Sequence, residues 1–167
     1  MITLSVLETA WGWLGLASGG RGLCGLTLPR DTAAMAMEVI GADFPGGQPG
    51  AAPDLAGVDE QLRRYFEGAP LAFAVPLALP ERPAFWRRVW GIVGAIPYGE
   101  TRSYGEVARQ AGVAGAARAV GGAMAHNPVP IIIPCHRVVG SDGRLTGFGG
   151  GQDMKRRLLE MERSARG

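Results

Sequence analysis

Residues Ser103–Pro130 read SYGEVARQAGVAGAARAVGGAMAHNPVP, and this stretch decides how the second half of the chain folds. Ser103 followed three residues later by Glu106 is a capping box. A helix is therefore expected from Tyr104 to Gln110, stopped by Gly112. A four-residue turn leads into a second helix from Gly115 to His126, and two short helices joined by a glycine-containing turn form the pattern of a helix-turn-helix, whose second helix reads nucleic acid. That second helix is almost wholly Ala, Gly, Val and Met, with Arg118 its only charged residue. A helical glycine costs roughly 1 kcal/mol relative to alanine, so the pair Gly121–Gly122 calls for a close contact. Packing against another helix of the same protein is one source of it. A DNA backbone or groove floor is the other, with Arg118 projecting into the groove or the base stack.

Directly downstream, Ile131–Val139 reads IIIPCHRVV, an apolar run that delivers Cys135 next to His136. A free thiol has a pKa of about 8.5, so a reactive cysteine needs a base or a positive field beside it, and His136 is a candidate base. A small buried hydrophobe is the alternative for Cys135. Neighbouring residues of an extended chain point to opposite sides, so a water bridge between Cys135 and His136 is expected rather than direct contact. Cys24, within GLCGL, is expected to pack as an apolar strand residue. Two cysteines and two histidines make neither a disulfide framework nor a paired-ligand zinc site, and no metal is expected.

The remainder reads as an α/β chain in two parts. Residues 2 to 7, 11 to 17 and 22 to 28 have the character of short apolar strands, and Thr32–Ile40 that of a helix. Pro45–Gly57 should be a loop, and Val58–Gly68 a helix ended by glycine. Pro70, Pro76, Pro80 and Pro83 fit an edge strand and a linker. The expected division is 1–78 and 79–167. Ala84–Ala95 should be a helix with Phe85, Val89, Ile92 and Val93 on its inner face and Trp86 and Trp90 beside it. With 167 residues, 47% of them hydrophobic, a sizeable core is affordable, and a cytoplasmic location is expected because no run approaches the roughly 20 apolar residues that cross a bilayer. The net charge of +2 conceals an asymmetry: residues 1–79 carry four arginines against eight acids, and residues 80–167 thirteen bases against seven acids. The basic half is the candidate for a phosphate-bearing partner. Sixteen of the seventeen bases are arginine, which favours bidentate phosphate contacts.

Taken together, IPYGETRSYGEVA, AARAVGGAMAHNPVPIIIPCHRVVGSDG, GFGGG and KRRLLEME, in that order from Ile96 to Glu162, closely resemble the O6-alkylguanine-DNA alkyltransferases. The resemblance is carried by the C-terminal half, while the N-terminal half matches in outline. It implies a small ribonuclease H-like α/β N-terminal domain and a mainly helical C-terminal domain with a winged helix-turn-helix. It implies repair of double-stranded DNA carrying O6-alkylguanine, bound through the minor groove by a monomer, without cofactor. In that scheme Cys135 accepts the alkyl group, His136 removes the thiol proton through water, and Glu162 orients and charges the imidazole. Tyr104 gives a proton to the guanine ring, and Asn127 tethers the turn before the active-site segment. Arg118 fills the space of the rotated base, and Tyr104, Ala117, Ala119, Gly121 and Ser141 share the DNA contact. Val138, Phe148 and Gly149 line the guanine pocket.

The chain departs from the family pattern at Gly149, where some relatives carry serine, and at RPAFWRRVW, which lacks their glycine-threonine start. Zinc ligands, a second methyl-accepting domain and a regulatory DNA-binding domain are also absent from the sequence. Two other readings remain: a lesion-binding sensor, whose known relatives lack the cysteine, and a Cys-His hydrolase with the Gly149–Gly151 amides as oxyanion hole.

Overall fold

The computed structural model describes residues 1–53, 55–145 and 151–166. The chain divides into two compact units, Met1–Pro80 and Glu81–Gly167.

In the first unit, β1 (Thr3–Thr9), β2 (Gly12–Gly19) and β3 (Gly22–Leu26) form an antiparallel meander. Thr9 stitches the first two-residue turn, its hydroxyl accepting from Trp11 N and donating to Gly12 O. The helix α1 (Ala33–Asp43) starts where Thr32 caps it, accepting from Met35 N. It lies so close to β2 that a Cβ on Gly15 would stand 2.6 Å from Ala36 O. Leu4, Ala17, Cys24 and Ile40 form a core under this helix, and the expected apolar role of Cys24 holds. The helix α2 (Val58–Phe66) supplies Tyr65 and Phe66 to an aromatic cluster with Trp11 and Phe73.

Two expectations for this unit change. The Pro45–Gly57 loop contains a two-residue strand, β4 (Gln48–Pro49), parallel to β1, so the sheet order is β3-β2-β1-β4 and the sheet is mixed. Gln48 N and Gly50 N donate to Ile2 O and Leu4 O, and Pro49 takes the position from which no N–H is needed. The edge strand around residues 70–83 shrinks to a single bridge between Leu23 and Leu77. Pro76 can only accept there, from Leu23 N at 2.9 Å, and the ladder stops after Ala78 N donates to Leu23 O.

The second unit contains α3 (Ala84–Gly94), β5 (Arg102–Ser103), α4 (Tyr104–Gln110), α5 (Ala117–Ala125), a 3-10 turn (Cys135–Arg137), β6 (Val138–Val139) and α6 (Gln152–Arg166). Ser103 caps α4 as expected, accepting from Glu106 N. The helix ends in a Schellman arrangement: Gly112 has φ +82°, Gly112 N bonds Arg109 O, and Val113 N bonds Ala108 O. The second helix starts two residues later than expected because Gly115 lies in the left-handed region at φ +83°. On α3 the buried face is Val89, Trp90 and Val93, with Phe85 and Ile92 half-buried. Trp90 moves into the core because its indole N–H finds a partner, Ala123 O on α5, at 2.8 Å. The short strands β5 and β6 pair in parallel, Arg102 opposite Val138 and Ser103 opposite Val139. This pairing joins the start of α4 to the segment that follows Cys135.

Candidate active site

Asn127 builds the approach to the site. Its side-chain amide donates to Ile133 O at 2.8 Å and its carbonyl accepts from Val129 N at 3.0 Å, so one residue closes both ends of a tight loop. Between those ends Ile131 sits at φ +76°, a left-handed conformation that costs a β-branched residue on the order of 1–3 kcal/mol. Ile133 N returns to Val129 O and Cys135 N to Ile133 O. The strained loop is thus over-determined by backbone bonds, and it delivers Cys135 to a fixed position.

Cys135 opens a 3-10 turn, not an extended segment. With about three residues per turn, successive side chains diverge by about 120° rather than pointing to opposite faces. Cys135 and His136 are therefore not set on opposite sides as an extended chain would set them. Cys135 retains 8% exposure and His136 none. His136 Nε2 lies 2.6 Å from Glu162 Oε2, and with a carboxylate as acceptor Nε2 carries the proton. Nδ1 is then the ring nitrogen able to take a proton from the thiol side.

Glu162 reaches this site from α6, whose residues Lys155, Leu158, Leu159 and Glu162 follow the i, i+3, i+4, i+7 pattern and are all buried. Donors from three residues converge on its carboxylate. Oε2 accepts from His136 Nε2 and from Arg137 Nη2 at 3.1 Å, while Oε1 accepts from Arg137 Nε at 2.8 Å and Gly99 N at 3.3 Å. Burial alone would push this carboxyl upward, but the hydrogen bonds of His136 and Arg137, the charge that His136 carries when protonated and the permanent charge of Arg137 bring it down to about 2. Burial pulls the His136 pKa down, against the opposing pull of Glu162, so the ring rests neutral. Burial pushes the Cys135 thiol up, partly offset by a hydrogen bond with the Asn127 side chain and the positive charge of Lys155. The resting state is consequently thiol, neutral imidazole and carboxylate.

The sequence reading brought together Cys135, His136, Glu162 and Asn127; the structure pairs His136 with Glu162 and the Cys135 thiol with the half-buried Asn127 side chain, with Cys135 and His136 consecutive in one turn. Tyr104, the first residue of α4, is half-buried at its edge. Val138 is buried, and its carbonyl, expected at the guanine edge, accepts from Lys155 Nζ at 2.6 Å. Ala117, Arg118 and Ala119 are exposed on α5, as is Ser141 after β6. Gly121 is half-buried, yet a Cβ added to Gly121 or Gly122 would meet no described heavy atom within 4 Å. Packing among the described residues therefore does not account for the glycine pair. Phe148 and Gly149 lie outside the described residues, as does Gly150 of the postulated oxyanion amides.

Two functional residues escaped the sequence reading. Arg137 grips both oxygens of Glu162, and Lys155, the only lysine in the chain, is wholly buried 5.8 Å from the Tyr104 ring centre. Lys155 had a signal: a lone lysine seven residues before Glu162 falls on the same helix face two turns away. Arg137 had only its adjacency to His136, which does not say where a side chain that long will turn. No described helix is long and apolar enough to cross a membrane.

Residues 84–164 match the family model described as 6-O-methylguanine DNA methyltransferase, DNA binding domain. A methylated-DNA--protein-cysteine methyltransferase of Mycolicibacterium paratuberculosis is 56% identical over 108 residues, which span 65% of this chain and 65% of that one. The Mycobacterium tuberculosis protein of the same name is 55% identical over 116 residues, 70% of this chain and 68% of that one. The matched part thus spans about two thirds of the length of these relatives. A crystal structure of Mycobacterium tuberculosis OGT in complex with DNA superposes with a TM-score of 0.83 at 43% identity, covering 98% of this chain and 94% of that one. The order of elements, the buried cysteine network and these likenesses agree, and the chain belongs to the 6-O-methylguanine DNA methyltransferase family.

Proposed function

We propose that the protein repairs duplex DNA by moving an alkyl group, methyl above all, from O6 of a damaged guanine to its own Cys135. The observation that carries this reading is the fully buried His136–Glu162 pair, 2.6 Å apart, beside a buried thiol in the same 3-10 turn. A displacement at carbon needs a soft, desolvated nucleophile, and a low-polarity site with a built-in base provides one without exposing a thiolate to oxidation.

In the proposed step, His136 Nδ1 takes the Cys135 proton through a bridging water, while Glu162 stabilises the imidazolium. The sulfur lone pair then forms the S–C bond as the C–O6 bond breaks, and its electron pair passes into the guanine ring. Tyr104 supplies a proton to that ring, and guanine leaves neutral. Lys155, whose charge favours the Cys135 thiolate, stabilises the nucleophile. A thioether is a poor leaving group, so each chain acts once and needs no cofactor.

The base cannot be reached inside a duplex and is rotated out, at a cost of a few kcal/mol. We read α4 and α5 as the helix-turn-helix of a winged domain within residues 79–167 that lies in the minor groove. The smooth surface of Ala117, Ala119 and Gly121 and the open space over the glycine pair support close approach of a DNA backbone. Arg118, exposed on that helix, enters the vacated stack, and Ser141 contacts the backbone. Val138, Phe148 and Gly149 hold the guanine. The first unit is read as a ribonuclease H-like domain, and the protein as a cytoplasmic monomer.

The test is intact mass and peptide mapping after mixing with excess duplex carrying one O6-methylguanine. A single methyl gain on Cys135, matched by loss of the lesion, supports the reading. Tight binding with no mass gain points to a lesion sensor, and turnover of several lesions per chain excludes single use.

A further inference from the structure

Arg137 is buried, with 5% exposure, and every hydrogen-bonding edge of its guanidinium is directed inward. Nε and Nη2 form a fork on the two oxygens of Glu162, at 2.8 and 3.1 Å, and Nη1 donates to Ile96 O at 2.7 Å. The guanidinium also lies 5.6 Å from the Tyr98 ring centre. Anchors on two separate segments, the connection after α3 and the helix α6, fix the guanidinium plane, and the fork fixes the carboxylate within that plane. On the carboxylate so held, Oε2 also accepts from His136 Nε2 at 2.6 Å.

We infer that Arg137 is a positioning residue of the transfer reaction, which holds Glu162 ionised and aimed at His136 so that the imidazole keeps Nδ1 ready for the thiol proton. The inference rests on the alkyl-transfer reading above and adds a fourth member to the Cys135–His136–Glu162 relay. A carboxylate with no exposed surface rises in pKa and takes up a proton unless its charge is matched. His136 cannot match it at rest, because a neutral imidazole brings a hydrogen bond but no charge. Arg137, permanently cationic, can. The charged or titratable groups facing Glu162 and His136 are Arg137 from the turn, Lys155 and Cys135 acting at longer range, and Tyr98 from the connection after α3. Among these groups, Arg137 alone bonds both carboxylate oxygens.

Two readouts on the whole protein separate this role from general stabilisation. The first is the single-turnover rate of methyl transfer from a duplex carrying O6-methylguanine, and the second is the rate at which iodoacetamide alkylates Cys135, followed by peptide mapping, each at pH 6 and pH 8. In wild type Glu162 is charged at both pH values. In Arg137→Met the buried carboxyl should rise and lose part of its charge at pH 6, so the ratio of the pH 8 rate to the pH 6 rate should widen by about tenfold over wild type. Arg137→Lys keeps the charge but loses the fork, so its pH ratio should stay that of wild type while both rates fall by about tenfold. A folded Arg137→Met whose rates and pH ratio match wild type overturns the inference. If that variant fails to fold, as judged by circular dichroism, Arg137→Lys decides, and wild-type rates in it overturn the inference. Wild-type protein that reacts with iodoacetamide at Cys135 but takes no methyl from DNA would instead sink the alkyl-transfer reading, and the iodoacetamide profiles would still judge Arg137.

Discussion

Replacing Glu162 with Gln keeps the size of the side chain and removes its charge. The amide presents one donor where both His136 Nε2–H and Arg137 also donate, so at least one of those bonds becomes a clash of donors. Its magnitude follows from the carboxyl's displacement. A group moved from 4.5 to about 2 by the fold is worth about 3 kcal/mol to the folded state at neutral pH, at 1.36 kcal/mol per pH unit. Removing one partner of a buried ion pair costs about 3–5 kcal/mol, which agrees. The sign is that of a depressed acid: the stabilisation is complete above pH 4.5 and lost as pH falls from 4.5 to 2. His136, whose pKa is also depressed, acts in the same direction, its share declining as pH falls below 6.5. Urea unfolding followed by tryptophan fluorescence should therefore show Glu162→Gln less stable than wild type by about 3 kcal/mol at pH 7. The variant should also lack the wild-type loss between pH 4.5 and 2. A cost under about 1 kcal/mol at pH 7, the level of an exposed pair, would refute the assignment of Glu162 as a buried, charge-matched carboxylate.

Three further outcomes are expected. Cys135→Ser should bind the lesion duplex yet show no methyl gain by mass, because a hydroxyl in the same place is a far weaker nucleophile at neutral pH. Asn127→Ala takes the acceptor from Val129 N, while Ile133 O keeps Cys135 N, and it releases the loop that holds Ile131 at positive φ, so it should cost about 1–3 kcal/mol in chemical denaturation, the cost of one buried group left unpaired. Its transfer rate should fall as well, measured on protein that is still folded. Gly25→Ala would put a Cβ 2.1 Å from the Phe44 ring, and a cost of about 1–3 kcal/mol from overpacking is expected in thermal unfolding, with the methyl uptake of the folded fraction unchanged.

Much of the site was legible because its signals are local. A capping serine, a stop glycine and an asparagine ahead of prolines act within a few residues of themselves, and Ser103, Gly112 and Asn127 do what the sequence led us to expect. The proposed nucleophile and its proposed base were legible for the same reason, as neighbours in one motif. Glu162 was reached through family resemblance and its spacing from Cys135, since 26 residues separate it from His136 and no local signal joins the two.

What the sequence alone determined, then, is the inventory: which helices form, where they stop, and which thiol, imidazole and carboxylate are available. What only the tertiary structure decided is how charge is shared among them. The Cys135–Arg137 turn proved to be 3-10 because loop contacts from Asn127 to Ile133 set its entry, and no periodicity in IIIPCHRVV encodes those contacts. Arg137 turned inward to Glu162 and Ile96, and Lys155 to Val138, because burial of α6 removed water from every alternative partner. A long cationic side chain can point almost anywhere in an unfolded chain. Desolvation, which exists only once the helices have packed, leaves it the few acceptors that can satisfy it.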